Sequence, residues 1–274
     1  MENSNKNIAP FFVGFLLIVL VVVITFTKPY LAKKGEKKES VVNLSQNDKK
    51  VASFSAEALF QELQKNQSLV LVDIRSNEEF KIEHILDAKN VVLIDLEGFL
   101  SGSDPQKKYI LIDQAGVESQ NFVKNWKNKS GDNNKVSYLE GGLLSWKEKY
   151  YPLVALGDPY SIADQSKVSY MKSEELDKLM TSGEKFTLID LRKEAAFQEE
   201  HLKGARNIFL DDLESKRNEI PKGKKIVLYD KDGLWAFQGA VRLFDMGIFN
   251  VYVLPDGLDG WKQKGLETEK SAGS

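Results

Sequence analysis

One motif occurs twice in this 274-residue chain, and the repetition constrains its fold more than any other feature. Asp73, Arg75, Phe80, Glu83, His84, Ala88 and Asn90 recur 117 positions later as Asp190, Arg192, Phe197, Glu200, His201, Ala205 and Asn207. The two histidines of the motif are the only two in the chain. The same offset carries Asp113 onto Asp230 and Gly116 onto Gly233. Each copy is accompanied by short apolar runs, at 69–73, 109–113 and 136–139, then at 186–190, 225–230 and 251–254. Runs this short and this apolar suit strands buried on both faces. Helical patterns alternate with them. Ser55 is placed to cap a helix, residues 119–126 put Phe122 and Trp126 on one face, and residues 236–246 turn Phe237, Ala240, Val241 and Phe244 inward before Gly247. Strands alternating with helices imply a parallel α/β sheet covered on both faces, formed once in each half.

The repeated residues resemble the rhodanese family, whose signature runs D-x-R-x-x-x-E-[FY]-x-x-G-H-I-x-G-A-x-N. The resemblance extends from about Val51 to Lys264, and Trp146 and Trp261, each after a glycine turn, fall where the family pattern expects them. It implies two rhodanese-like three-layer α/β/α domains with parallel sheets. A family active-site loop reads C-x-x-G-x-R-S after an apolar strand. Here the two loops carry Asp113, Gly116, Glu118 and Ser119, and Asp230, Asp232, Gly233 and Trp235. The position of the family cysteine is thus aspartate in both copies, and that of its arginine is Glu118 or Trp235. The glycine before the family histidine is replaced by Glu83 and Glu200. The chain has no cysteine at all, which removes thiolate, persulfide, disulfide and cysteine–metal chemistry. Sulfur transfer and the other cysteine-based activities of the fold are therefore not expected, nor is any cofactor or metal site.

In such a loop, backbone N–H groups converge on an anion at a helix N-terminus. An aspartate there is expected to fill the cradle itself, with its pKa lowered. Asp73–Arg75 and Asp190–Arg192 could clamp a substrate, but a charge at the end of a buried strand needs a partner, which favours a brace. His84 and His201 have no nucleophile to serve and read as architectural. Asp230 and Asp232 faintly resemble the D-x-D-G motif of aspartyl-phosphate enzymes, which leaves Asp-dependent phosphoryl transfer as an alternative; the first loop lacks that motif. Asp230, Asp232 and Trp235 form the expected recognition patch, with Trp235 either an anchor for a protein partner or packed on the neighbouring domain. A structural spacer with no partner is the remaining alternative.

Residues 8–27 contain no charge, and about twenty such residues match the roughly 30 Å hydrocarbon core of a bilayer. No small-x-small cleavage site follows. An uncleaved single-pass anchor is expected, with the lipid bilayer as a partner. Lys28, Lys33, Lys34, Lys37 and Lys38 follow the segment while only Lys6 and the amino terminus precede it, which favours the cytoplasmic side for the domains. A short N-terminal tail retained inside would place them outside. The chain then divides into a tail (1–7), the anchor (8–27), a polar tether (28–50), domain one (51–152), a linker (153–167), domain two (168–266) and a tail expected to fray (267–274). A net charge of −2 and no basic stripe speak against nucleic acid.

Overall fold

The computed structural model describes residues 51–65, 68–130 and 135–270. The apolar segment 8–27 and the tether lie outside the described residues. Among the described residues no helix is long and apolar enough to cross a membrane.

The first repeat runs β1 (Ser53–Phe54), α1 (Ala56–Leu63), β2 (Leu69–Asp73), α2 (Asn77–Ile82), β3 (Glu83–His84), β4 (Lys89–Asn90), α3 (Leu96–Ser101), β5 (Lys108–Ile112), α4 (Val117–Ser130), β6 (Val136–Leu139) and α5 (Gly142–Glu148). The linker holds β7 (Val154–Ala155) and α6 (Ile162–Gln165). The second repeat follows with β8 (Ser169–Tyr170), α7 (Ser173–Thr181), β9 (Phe186–Asp190), α8 (Glu194–Glu199), β10 (Arg206–Asn207), β11 (Lys225–Tyr229), α9 (Leu234–Asp245), β12 (Val251–Val253) and α10 (Gly257–Gln263).

Each repeat forms a five-stranded sheet, ordered β1-β6-β5-β2-β4 in the first and β8-β12-β11-β9-β10 in the second. All the pairings within these two sheets are parallel. Alternate strand residues feed opposite layers, because successive side chains point to opposite faces. In the first repeat Leu71, Ile110 and Ile112 pack with Leu59, Leu143 and Trp146. On the other face Val72, Tyr109 and Leu111 pack with Leu96, Leu100 and Val123. The second repeat does the same, with Leu188, Val227 and Tyr229 on one face and Ile189, Ile226 and Leu228 on the other. Each fully buried aliphatic side chain contributes roughly 1.5–3 kcal/mol, so apolar occupancy of both faces holds the helices on the sheet. The three-layer α/β/α expectation holds in both halves.

Ser55 caps α1 by accepting from the Ala58 N–H at 3.2 Å. Helix α9 differs from expectation. Phe237, Ala240 and Val241 are buried as expected, together with Ala236 and Leu243, but Phe244 is 41% exposed, edge-on to Phe249. Val241 packs close to the linker, where a Cβ on Gly157 would lie 3.1 Å from its own Cβ. Nor do residues 267–269 fray. Trp261 Nε1 donates to the Glu267 carbonyl at 3.0 Å, and His201 and Glu269 exchange two backbone hydrogen bonds of 2.8 Å. The same device appears in the first repeat, where Trp146 Nε1 donates to the Pro152 carbonyl and β3 pairs antiparallel with β7.

The repeats meet through polar contacts. Glu214 of the second repeat accepts from the Asp87 N–H at 2.7 Å and lies 2.8 Å from His84 Nε2. Arg217 pairs with Asp87 at 2.8 Å. Asp245 holds the linker, accepting from the Ala155 N–H and pairing with Lys167. Burial pushes the Glu214 carboxyl up, but His84, the Asp87 N–H and Arg217 outweigh it and hold the group below its ordinary 4.5. A depressed folded pKa means the contribution is present above 4.5 and lost as pH falls through the lower folded value. Glu214→Ala leaves two donors unpaired and is expected to lower the unfolding free energy by about 1–3 kcal/mol at neutral pH. The denaturant midpoint checks this; the deficit should shrink as the pH is taken well below 4.5.

Candidate functional site: two aspartate-filled loops

Each loop leaves the C-terminal end of a central strand and enters a helix, β5 to α4 and β11 to α9. In the first, Asp113 Oδ1 accepts from the Gly116 N–H at 2.6 Å and the Ser119 hydroxyl at 2.9 Å. Its Oδ2 accepts from the Glu118 N–H at 2.7 Å and the Ser119 N–H at 3.4 Å. In the second, Asp230 Oδ1 accepts from Gly233 at 2.8 Å and Ala236 at 3.4 Å, and Oδ2 accepts from Trp235 at 3.0 Å. Both carboxylates are buried, at 3% and 2% exposure. The cradles expected from the sequence are therefore closed by side chains of the protein itself.

The expected fall in pKa does not occur at Asp230. Burial raises its carboxyl above the ordinary 3.8, and the nearby charge of Asp232 adds to this against the three backbone donors. Ala236 stands where the first loop has the Ser119 hydroxyl, so the second cradle supplies one donor fewer. This burial also bears on nucleophilic use. Both Asp230 oxygens face backbone N–H groups, and Asp232 accepts from the Leu234 N–H. Among the described residues no group of three His, Asp or Glu side chains is arranged to hold a metal ion.

The glycine turns before Trp146 and Trp261 brace the loops from behind. A Cβ on Gly142 would lie 2.4 Å from the Asp113 carbonyl, and one on Gly257 would lie 2.4 Å from the Lys231 carbonyl. The helices that follow donate back, Leu143 N–H to the Asp113 carbonyl and Leu258 N–H to that of Asp230. Close backbone approach is what requires glycine there.

Arg75 grips Asp73 through Nε at 2.9 Å and Nη2 at 2.6 Å, and also reaches the Glu83 carbonyl. Arg192 repeats this on Asp190 and the Glu200 carbonyl. Both arginines thus brace the end of their strand through Nε and Nη2. His84 and His201 stack on Phe80 and Phe197, with each Nδ1 2.8 Å from the carbonyl of that phenylalanine. Neither ring bonds into a loop.

The second loop opens on a cleft of about 360 Å³ lined by Arg192, Lys193, Asp230, Asp232, Leu234 and Trp235. Trp235 is half-buried. It packs on the core of its own domain and edge-on to Phe209, with centroids 5.8 Å apart, and not on the other repeat. Leu234, by contrast, is 46% exposed at the rim. Sequence reasoning missed Leu234, Phe209 and Lys193, the last lying over the Phe209 ring. The register offered one hint, since Leu234 is the counterpart of Val117, also exposed at the first turn of its helix. It also missed Tyr229, whose buried hydroxyl accepts from the Leu202 N–H and whose pKa is pushed up by burial and by Asp190.

Removing either carboxylate orphans its donors. Asp113→Ala and Asp230→Ala should each lower stability by about 1–3 kcal/mol at neutral pH, read from chemical denaturation. Because the folded pKa of Asp230 is raised, its own titration stabilises the fold at low pH and withdraws that contribution as pH rises from 3.8 through the folded value. A family model for the rhodanese-like domain matches residues 55–149 and again 172–264. The uncharacterized protein YqhL of Bacillus subtilis is 32% identical over 102 residues, covering 35% of this chain and 81% of its own. A sulfurtransferase of Allochromatium vinosum is 26% identical over 99 residues, covering 36% and 92%. The thiosulfate sulfurtransferase structure from Pseudomonas aeruginosa aligns over 81% of this chain and 44% of its own, at 20% identity and a TM-score of 0.43. With the family model covering both halves, the chain belongs to the rhodanese-like domain family, as two such domains in tandem.

Proposed function

We propose that this tandem rhodanese-like protein is non-catalytic and acts as a protein-binding or scaffolding module. The observation that carries the reading is the occupancy of both loop cradles by Asp113 and Asp230, in a chain that has no cysteine. The donors that would stabilise a substrate anion are already engaged, and the thiol that would carry sulfur is absent. Recognition is assigned to the cleft beside Asp230, where Leu234 and Trp235 give an apolar rim flanked by Asp232, Lys193 and Lys231. A small apolar centre edged by charge of both signs suits a protein surface. The uncharged segment 8–27 is proposed to tether the domains to a bilayer, on the cytoplasmic side by the lysine balance around it.

Two measurements test this. Purified full-length protein should produce no thiocyanate from thiosulfate and cyanide beyond the buffer rate; turnover proportional to enzyme would end the non-catalytic reading. Leu234→Asp is the cleaner interface variant, because Trp235 also serves the core. Cross-linking in native membranes followed by capture should recover a specific protein with the parent chain and lose it with Leu234→Asp, at an unchanged melting temperature. An identical set from both chains would remove this cleft as the recognition surface.

A further inference from the structure

The histidine of each repeat is half of a two-point clamp for a carboxylate. In the first repeat His84 Nε2 and the Asp87 N–H hold the two oxygens of Glu214, which comes from the second repeat. In the second repeat His201 Nε2 lies 3.4 Å from Glu269 Oε1, and the Gly204 N–H donates to the same oxygen at 3.0 Å. The spacing is identical, histidine plus the N–H three residues on. With Nδ1 of each ring against a phenylalanine carbonyl, Nε2 is aimed outward. One clamp therefore docks a whole domain, and the other is closed by the chain's own C-terminal residues.

The difference lies in one position. The residue paired with the histidine across the antiparallel strand is Val154 in the first repeat and Glu269 in the second. Valine cannot fill the clamp, so it stays open to Glu214. Glutamate can, and does. The counterpart of Glu214 in the first repeat is Glu97, at the same offset of 117 and at the end of the same Leu-x-Asp-Leu-Glu run. Glu97 is exposed and pairs with the exposed Lys129, an exchangeable surface contact. Beside it Ile94 is 88% exposed and Leu93 is exposed as well. The second ion pair of the repeat contact, Asp87 with Arg217, has the uncharged Gly204 and Leu100 as counterparts, so that pair has no equivalent to satisfy.

We propose that the His201–Gly204 clamp is a docking site for Glu97 of a second copy of this chain, kept closed by Glu269. The contact would repeat the one between the two domains and run head to tail, so it does not close on itself as a two-fold dimer does. It would be weak, since Lys124 on α4 stands where α9 presents Val241. This inference does not depend on the cleft beside Asp230.

The test compares full-length chains in detergent micelles by sedimentation velocity over a range of concentrations. Glu269→Val, which copies the first repeat, should associate about tenfold more tightly than the parent, the scale of one charge-assisted hydrogen bond. Adding Glu97→Ala or His201→Gln should return it to the parent behaviour. Parent-like sedimentation of folded Glu269→Val overturns the proposal, as does association that survives Glu97→Ala. Should Glu269→Val fail to fold, a cysteine-free chain allows a second reading. Glu269→Ala chains carrying Ile94→Cys, mixed with Glu269→Ala chains carrying Lys203→Cys, should be joined by a short bismaleimide faster than the same pair with Glu269 intact; equal rates overturn the proposal.

Discussion

Each half of this protein is organised around an aspartate that ends or follows a buried strand and must be neutralised where it stands. Asp73 and Asp190 are neutralised by arginine, and Asp113 and Asp230 by backbone N–H groups of a tight loop. A buried charge without such partners costs several kcal/mol, so the loops can take only those shapes that aim donors at the carboxylate. The positive-φ glycines Gly116 and Gly233, the start of the following helix and the close approach of the Gly142 and Gly257 turns all follow from that requirement.

On the proposed non-catalytic reading, the same geometry lets a fold associated with anion chemistry set that chemistry aside without collapsing. A loop that converges its N–H groups needs an acceptor, and here the chain supplies one from its own side chains. The cradle is preserved as structure while its vacancy for a substrate is lost. What remains at the surface is the ring of side chains around the loop, apolar at Leu234 and half-buried at Trp235, and that ring carries the proposed binding role.

The parallel sheets, the layers and the two loops were legible because they repeat. A residue found twice at one offset reports a constraint rather than an accident, and strands buried on both faces leave a plain apolar run. The less legible features are those where the repeats differ or touch. Glu214 lies 130 residues from His84, and no local pattern marks a contact of that range. Phe244 carries the same helical spacing as the buried Phe237, Ala240 and Val241, yet it lies at the edge of that face against the exposed Phe249. The raised pKa of Asp230 depends on a balance of burial against three donors, and a sequence shows the donors but not the depth. The hold on Glu269 is invisible until His201 and the segment after Trp261 are seen side by side.

The central claim is that both cradles are already full. It is tested most directly by titrating thiosulfate into the full-length protein while following backbone amide resonances. The account predicts no saturable shift at Gly116, Glu118, Gly233 or Trp235, whose N–H groups are held by Asp113 and Asp230. Saturable shifts confined to those amides would show that the anion enters the loop and displaces the carboxylate, and would contradict it.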